Sequence, residues 1–268
     1  MPPNGVDVDL EHGRPALTAL STFAEVDPSI TPAHFGAGTL DHQSLFSTFA
    51  HWAESAAEHR PGAPPLNATT HTIPARRTIC HPTESPDFVI VICQGWVTSS
   101  ISLSDGRRQI LAFYLPGDIV STPSLFEPIS GRLIEAVTDV TYRKFKRTEL
   151  KSILFKNPGL FEKVSKCWIE EKANSDQLAL DLGRRTADER IARLILSLAE
   201  RLTKRGMVHG QTLDFPLRQR QIADATGLTP VHVSKVLGEF QRAELIEISN
   251  RSLVIANESA LRQIAGPK

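Results

Sequence analysis

The chain has 268 residues, enough for two modest domains, and its 41% hydrophobic and 22% charged content is ordinary for a soluble globular protein. Lys+Arg and Asp+Glu both number 30, so net charge gives no support to a nucleic-acid partner and any basic footprint must be local. No apolar run approaches a membrane span, no basic-then-hydrophobic leader opens the chain, and Cys80, Cys93 and Cys167 form no CxxC pair. These absences exclude a membrane segment and a disulfide framework and leave the cytoplasm as the expected compartment.

The charge is unevenly spread. The first sixty positions carry Asp7, Asp9, Glu11, Glu25, Asp27, Asp41, Glu54 and Glu58 against Arg14 and Arg60, whereas the stretch 143–205 is rich in Lys and Arg. Residues 1–42 are read as an acidic, polar extension without sustained periodicity. Leu45, Phe46, Phe49, Ala50 and Trp52 then predict a short helix, ended by Pro61-Gly62-Ala63-Pro64-Pro65.

From His71 to Phe145 the pattern turns to short β-type runs. Phe88-Val89-Ile90-Val91-Ile92 stops at Gly95. Runs at 97–103 and 109–115 flank Asp105-Gly106, a dipeptide that tolerates the positive φ of a tight hairpin. Pro116-Gly117-Asp118 makes a further turn into Ile119-Val120, and residues 134–145 supply more strands. Many short strands at close spacing predict a small antiparallel barrel or roll, so 43–156 is read as one domain with its preceding helix.

The period then becomes helical. Asn157-Pro158 opens a helix on which Phe161, Val164, Trp168, Glu171, Ser175, Leu178 and Leu182 recur at alternating three and four residues. That stripe, on a helix of about 22 residues closed by Gly183, suits a parallel partner helix; the alternative is packing onto the chain's own roll. Residues 157–183 are therefore read as a dimerisation helix, with Phe161, Val164, Trp168, Ser175, Leu178 and Leu182 at the interface. Thr186-Ala187-Asp188-Glu189 is a capping box that starts a second helix, with apolar face Ile191, Leu194, Ile195, Leu198 and Leu202.

The most informative stretch is 217–255. Residues 218–226 predict a short helix, Gly227-Leu228 a turn, and Thr229-Pro230 the capped start of a second helix reaching about Arg242. Ile222 anchors the first helix, and Ala223 is small where the two helices approach. Gly227 permits a left-handed turn. Leu228, Val233, Val236 and Leu237 point inward, which leaves Val231, His232, Ser234 and Lys235 outward near the helix N-terminus, where a recognition helix meets base edges. Residues 245–248 and 253–255 read as a hairpin behind them, with an Asn250-Arg251 tip within reach of the phosphate backbone. This is a winged helix-turn-helix, assigned to 184–268.

The whole resembles the CRP/FNR family of dimeric bacterial transcription regulators over about residues 70–265. The resemblance is carried most specifically by Gln221-Ile222-Ala223-Asp224-Ala225-Thr226-Gly227-Leu228-Thr229-Pro230-Val231-His232-Val233-Ser234-Lys235. Asp105-Gly106-Arg107-Arg108-Gln109-Ile110 and Leu115-Pro116-Gly117-Asp118 carry the rest. It implies an α+β chain: an antiparallel, cyclic-nucleotide-binding-like roll, a long dimerisation helix, and a C-terminal winged helix-turn-helix on a palindromic site in double-stranded DNA, with RNA polymerase as partner. It also implies phosphate contacts from Arg218, Gln219, Arg220, Thr229 and His232, and base reading by Val231, Ser234 and Lys235. The chain departs from well-known members, which have glutamate at 231 and arginine at 235. Valine offers only apolar contact, and lysine lacks the bidentate fork.

The nucleotide pocket departs further. Where cyclic-nucleotide-binding members hold ribose with Gly-Glu and phosphate with Arg-Ser/Thr, this chain has Ser121-Thr122 and Arg132-Leu133, so cyclic AMP is not expected and no cofactor is predicted. Three scattered cysteines cannot supply the four ligands of an iron–sulfur cluster. Haem ligation by Cys80 or His81 and redox chemistry at Cys93 or Cys167 remain open alternatives. A metal-dependent dioxygenase on the roll would need His-x-His with a following glutamate, and none exists, so no enzymatic activity is expected. A repressor or architectural protein using the roll only as a dimer scaffold is the competing reading.

Overall fold

A computed structural model describes residues 68–84, 87–128 and 131–267. The acidic extension and the helix expected around Leu45–Trp52 lie outside the described residues.

Residues 68–146 carry the strands β1 (Ala68–Ile73), β2 (Thr78–Cys80), β3 (Phe88–Gln94), β4 (Val97–Ser102), β5 (Arg108–Tyr114), β6 (Leu133–Ala136) and β7 (Val140–Lys146). They form two antiparallel sheets, ordered β1-β7-β3 and β2-β6-β4-β5. The unbroken apolar run of β3 is explained by burial on both faces. Ile90 and Ile92 join Val97, Ile134, Val140 and Tyr142 between the sheets, while Val89 and Val91 face the helices that follow. The expected hairpin joins β4 to β5, pairing Ser102 with Arg108, and Gly106 adopts φ +87°. Ile119 makes only an isolated bridge to Val91, because the chain turns there into a 3-10 segment, Thr122–Leu125.

A helix not anticipated from the sequence, α1 (Arg147–Lys156), follows β7 directly and buries Leu150, Ile153 and Leu154 on the roll. Then comes α2 (Pro158–Arg184), whose Asn157 side chain accepts from the Leu160 N–H at 3.1 Å. It has 27 residues rather than about 22, and runs through Gly183, which is helical and exposed. The break comes at Arg185, which turns extended and leads into the capping box. There Thr186 N–H donates to Glu189 Oε2 at 2.7 Å and Glu189 N–H to Thr186 Oγ1 at 3.4 Å, starting α3 (Ala187–Lys204).

The C-terminal part adds a small hairpin, β8 (Val208–His209) and β9 (Thr212–Asp214), then α4 (Gln219–Thr226), α5 (Pro230–Arg242), β10 (Ile246–Ser249), β11 (Ser252–Ile255) and α6 (Glu258–Ala265). The sheet order β10-β11-β9-β8 shows that the wing is extended by the earlier hairpin. One apolar cluster joins Ile191, Ile195, Leu198 and Leu202 of α3 to Ile222, Val233, Val236 and Leu237 of the two short helices. It continues into the roll through Trp96, Ile110, Phe113 and Leu115. The core of this half is therefore not closed on itself but shared with β5.

Candidate nucleic-acid interface

The interface is built by α4, α5 and the β10–β11 wing. The short helix α4 starts without a capping side chain of the Ser/Thr/Asp/Asn type; instead Gln221 Oε1 reaches back to accept from the Arg218 N–H at 2.9 Å. It ends at Gly227, whose φ of +67° turns the chain left-handed, and an added Cβ there would lie 3.0 Å from Leu182 Cδ2. The left-handed conformation is what favours glycine at 227, and an added Cβ would also press on the Leu182 side chain. The side chain of Thr229 accepts from the His232 N–H at 3.2 Å, and Pro230 occupies the first turn, where no N–H is needed.

The 3.6-residue period of α5 then sorts its side chains. Val233, Val236, Leu237 and Phe240 are buried, whereas Val231, His232, Ser234 and Lys235 are exposed, Val231 to 81%. A single exposed valine is ordinary on a protein surface, and at this position the contact it can offer a partner is apolar. Gln219 Nε2 donates to Ser234 Oγ at 3.2 Å, fastening the head of α4 to the exposed face of α5. Arg218 and Arg220 are exposed beside it, and Lys235 pairs loosely with Glu239, 4.0 Å away on its own helix. The N-terminal ends of both helices present the positive end of the helix dipole, a surface suited to phosphate. At the wing tip Asn250 and Arg251 both have positive φ, 47° and 65°, so the two-residue turn projects the exposed Arg251 side chain.

Sequence reasoning missed the supports of this surface. Arg190 of α3 donates to the carbonyls of Arg185 (2.9 Å) and Thr226 (3.1 Å), and so holds the helix-turn-helix turn from behind. Gln109 of β5 donates to the Ala225 carbonyl at 3.0 Å. Both act on carbonyls left free at the end of α4, across separations that no local pattern reveals.

The stripe expected on α2 is divided. Val164 is buried against the roll, Leu178 and Leu182 are half-buried, and Glu171 Oε2 accepts from the Thr122 N–H at 2.7 Å. Phe161, Trp168 and Ser175 are exposed, Trp168 stacking on Phe126, with Ile169 and Leu180 exposed beside them. Among the described residues no group of three His, Cys, Asp or Glu is placed to hold a metal ion. Burial pushes the Cys80 thiol up to about 11, aided by Glu84, and the Cys167 thiol up to about 12, aided by Glu170; it also raises Cys93. These groups are thiols, not thiolates, near neutral pH.

Comparison with known proteins agrees with this architecture. Residues 189–264 match the Crp-like helix-turn-helix domain and residues 70–157 the cyclic nucleotide-binding domain. The nitrogen fixation regulation protein FixK of Bradyrhizobium diazoefficiens is 30% identical over 167 residues, covering 61% of this chain and 68% of that protein. The transcriptional activator protein Anr of Pseudomonas protegens is 30% identical over 184 residues, 67% of this chain and 73% of its own length. The chain belongs to the CRP/FNR family of transcription regulators. The solved structure of FixK2 from Bradyrhizobium japonicum is 29% identical and superposes with a TM-score of 0.68, covering 76% of this chain and all of that one. A CRP/FNR-family regulator from Thermus thermophilus, 20% identical with a TM-score of 0.58, shares the fold. This regulator is accordingly α+β, with an antiparallel roll followed by a DNA-binding helix-turn-helix, and its family is not a class of enzymes.

Proposed function

We propose that this regulator binds a palindromic DNA site as a homodimer, without cyclic AMP. Arg218, Gln219, Arg220, Thr229 and His232 hold phosphates, and Val231, Ser234 and Lys235 read bases. The observation that carries the reading is the sorting of α5: one face is sealed in the core while the four residues at its head are exposed beside two exposed arginines. The partner copy packs along the exposed part of α2. The relatives named as activators support RNA polymerase as a further partner, with a cytoplasmic location and no catalytic role.

Independence from cyclic AMP is supported by the Glu171 contact. A bound nucleotide would need donors at the turn around Ser121 and Thr122, but the Thr122 N–H is already taken by a carboxylate from α2. Thr122 stands where nucleotide-binding members hold ribose, with its N–H already occupied, and Leu133 supplies no hydroxyl to a phosphate. The residues present do not fit a cyclic nucleotide. The same contact favours the competing reading, a regulator whose DNA binding needs no small molecule at all.

Selection of binding sites from random DNA, with and without cyclic AMP, tests the proposal. A two-fold motif unaltered by the nucleotide is expected. On that motif Lys235→Ala relaxes the preference at one base pair, costing about 1–3 kcal/mol, while Arg220→Ala weakens all sequences alike and flattens the salt slope by about one. An unchanged motif with Lys235→Ala removes that residue from the reading surface.

A further inference from the structure

The strand β5 is the outer strand of its sheet, and an uncovered edge of this kind is normally blunted or capped. Here the DNA-binding half covers it. Arg201 of α3 donates to the Phe113 carbonyl at 2.8 Å, while Ile110, Phe113 and Leu115 enter the cluster around α3. At the opposite end of β5 the partner is α4 itself. Arg108 forks between two carboxylates, placing Nη1 2.9 Å from Glu135 Oε2 on the roll and Nη2 2.7 Å from Asp224 Oδ2 on α4. Its neighbour Gln109 donates to the Ala225 carbonyl. The three charged side chains are largely withdrawn from water, where a bidentate guanidinium bridge is both stronger and more directional than at the surface.

Asp224 lies one helical turn from Arg220, on the same side of α4. We infer that Arg108 and Gln109 are positioning residues for DNA binding: the roll's edge strand holds α4 at the angle from which Arg220 meets the phosphate backbone. This rests on the DNA-binding reading above. Arg108 also neutralises Asp224, a carboxylate that would otherwise stand one turn from Arg220 and compete with phosphate for it. Gln109 satisfies one of the last carbonyls of α4 and fixes that end of the helix.

The test uses the full chain and the selected DNA site, with two readouts. Arg108→Ala is expected to weaken binding about tenfold and Gln109→Ala about threefold, as the fraction of molecules with α4 correctly placed falls. In Gln109→Ala the salt slope stays that of the wild type, because neither a charge nor a phosphate contact is removed. Gln109→Ala changes no charge and so separates positioning from electrostatics. Arg108→Lys keeps the charge but not the fork, and is expected to fall between wild type and Arg108→Ala; it also serves if the alanine variant does not fold. In hydrogen exchange on free protein, the amides of residues 219–226 exchange faster in all three variants. Wild-type affinity with unchanged exchange overturns the inference, and so does tighter binding, which would mark the contact as inhibitory. Failure of the wild type to bind any selected DNA would count against the DNA-binding reading, while the exchange experiment would still decide whether β5 holds α4.

Discussion

At the scale of single residues, Val231 is the most telling departure. It is 81% exposed at the head of α5, and an apolar side chain there can reward only an apolar group such as a thymine methyl. Val231→Glu is therefore expected to leave stability within about 0.5 kcal/mol, since the side chain packs against nothing that it would lose. It shifts the selected motif at one base pair toward cytosine, whose amino group donates to a carboxylate, by about 1–3 kcal/mol. Thermal melts and binding to paired sites check the two halves, and an unaltered preference would take position 231 off the reading surface. The outward placement of 231, 232, 234 and 235 was legible because Val233, Val236 and Leu237 fix the phase of a helix whose start is marked by Thr229-Pro230. The supports were not legible. Arg190 reaches Thr226, and Gln109 reaches Ala225, through side-chain bonds to backbone carbonyls. Such bonds have no residue-type signature at the accepting end.

At the scale of elements, the long helix shows how one stripe can serve two faces. Heptad spacing identified the helix but could not say which side the roll would claim. Val164 goes to the roll core and Glu171 to the turn at Thr122, so the apolar side chains left exposed include Ile169 and Leu180, at 68% and 45%, and the proposed dimer would use that face. Ile169 is the sharper probe of association than Trp168, which stacks on Phe126 of its own chain. Ile169→Asp is expected to give monomers in sedimentation, with the helical circular dichroism retained. Two like charges would face each other across a parallel seam, at a cost of about 2 kcal/mol or more per desolvated pair. A dimer of unchanged affinity would move the interface off this face. The elements missing from the sequence reading share a cause. The helix α1 follows β7 with Lys146 at its cap and no capping hydrogen bond from that side chain. The strands β8 and β9 have two and three residues, too few to show a period. Only Leu261 and Ala265 of α6 are buried, although Asn257 caps it in the ordinary way.

At the scale of the molecule, the roll and the DNA-binding half are joined by both charge and a common apolar core. The pivot is Asp118, at the turn that the sequence marks with Pro116-Gly117-Asp118. Its carboxylate accepts from the Leu115 N–H at 2.7 Å, from Arg201 Nη2 at 2.8 Å, and from Arg205. Arg205 is only 5% exposed, and burial pulls its pKa down while Asp118 pushes it back up. Arg205 keeps its charge, so removing Asp118 leaves a buried guanidinium short of a carboxylate that accepts from it. Asp118→Ala is therefore expected to cost about 3 kcal/mol, the scale for breaking one side of a buried pair, or roughly 6–12 °C in Tm for a chain of this size. Because Trp96, Phe113 and Leu115 share a cluster with α3, the loss is expected in a single transition. Tryptophan emission and far-ultraviolet circular dichroism should then coincide at one protein concentration. Two separated transitions, or a loss below about 1 kcal/mol, would show that the halves fold independently and that Asp118 is an ordinary surface partner. With one transition and the full cost, the roll is part of the scaffold on which the recognition helix stands, and a change that loosens β5 or the Asp118 turn reaches the DNA surface without any ligand in the roll.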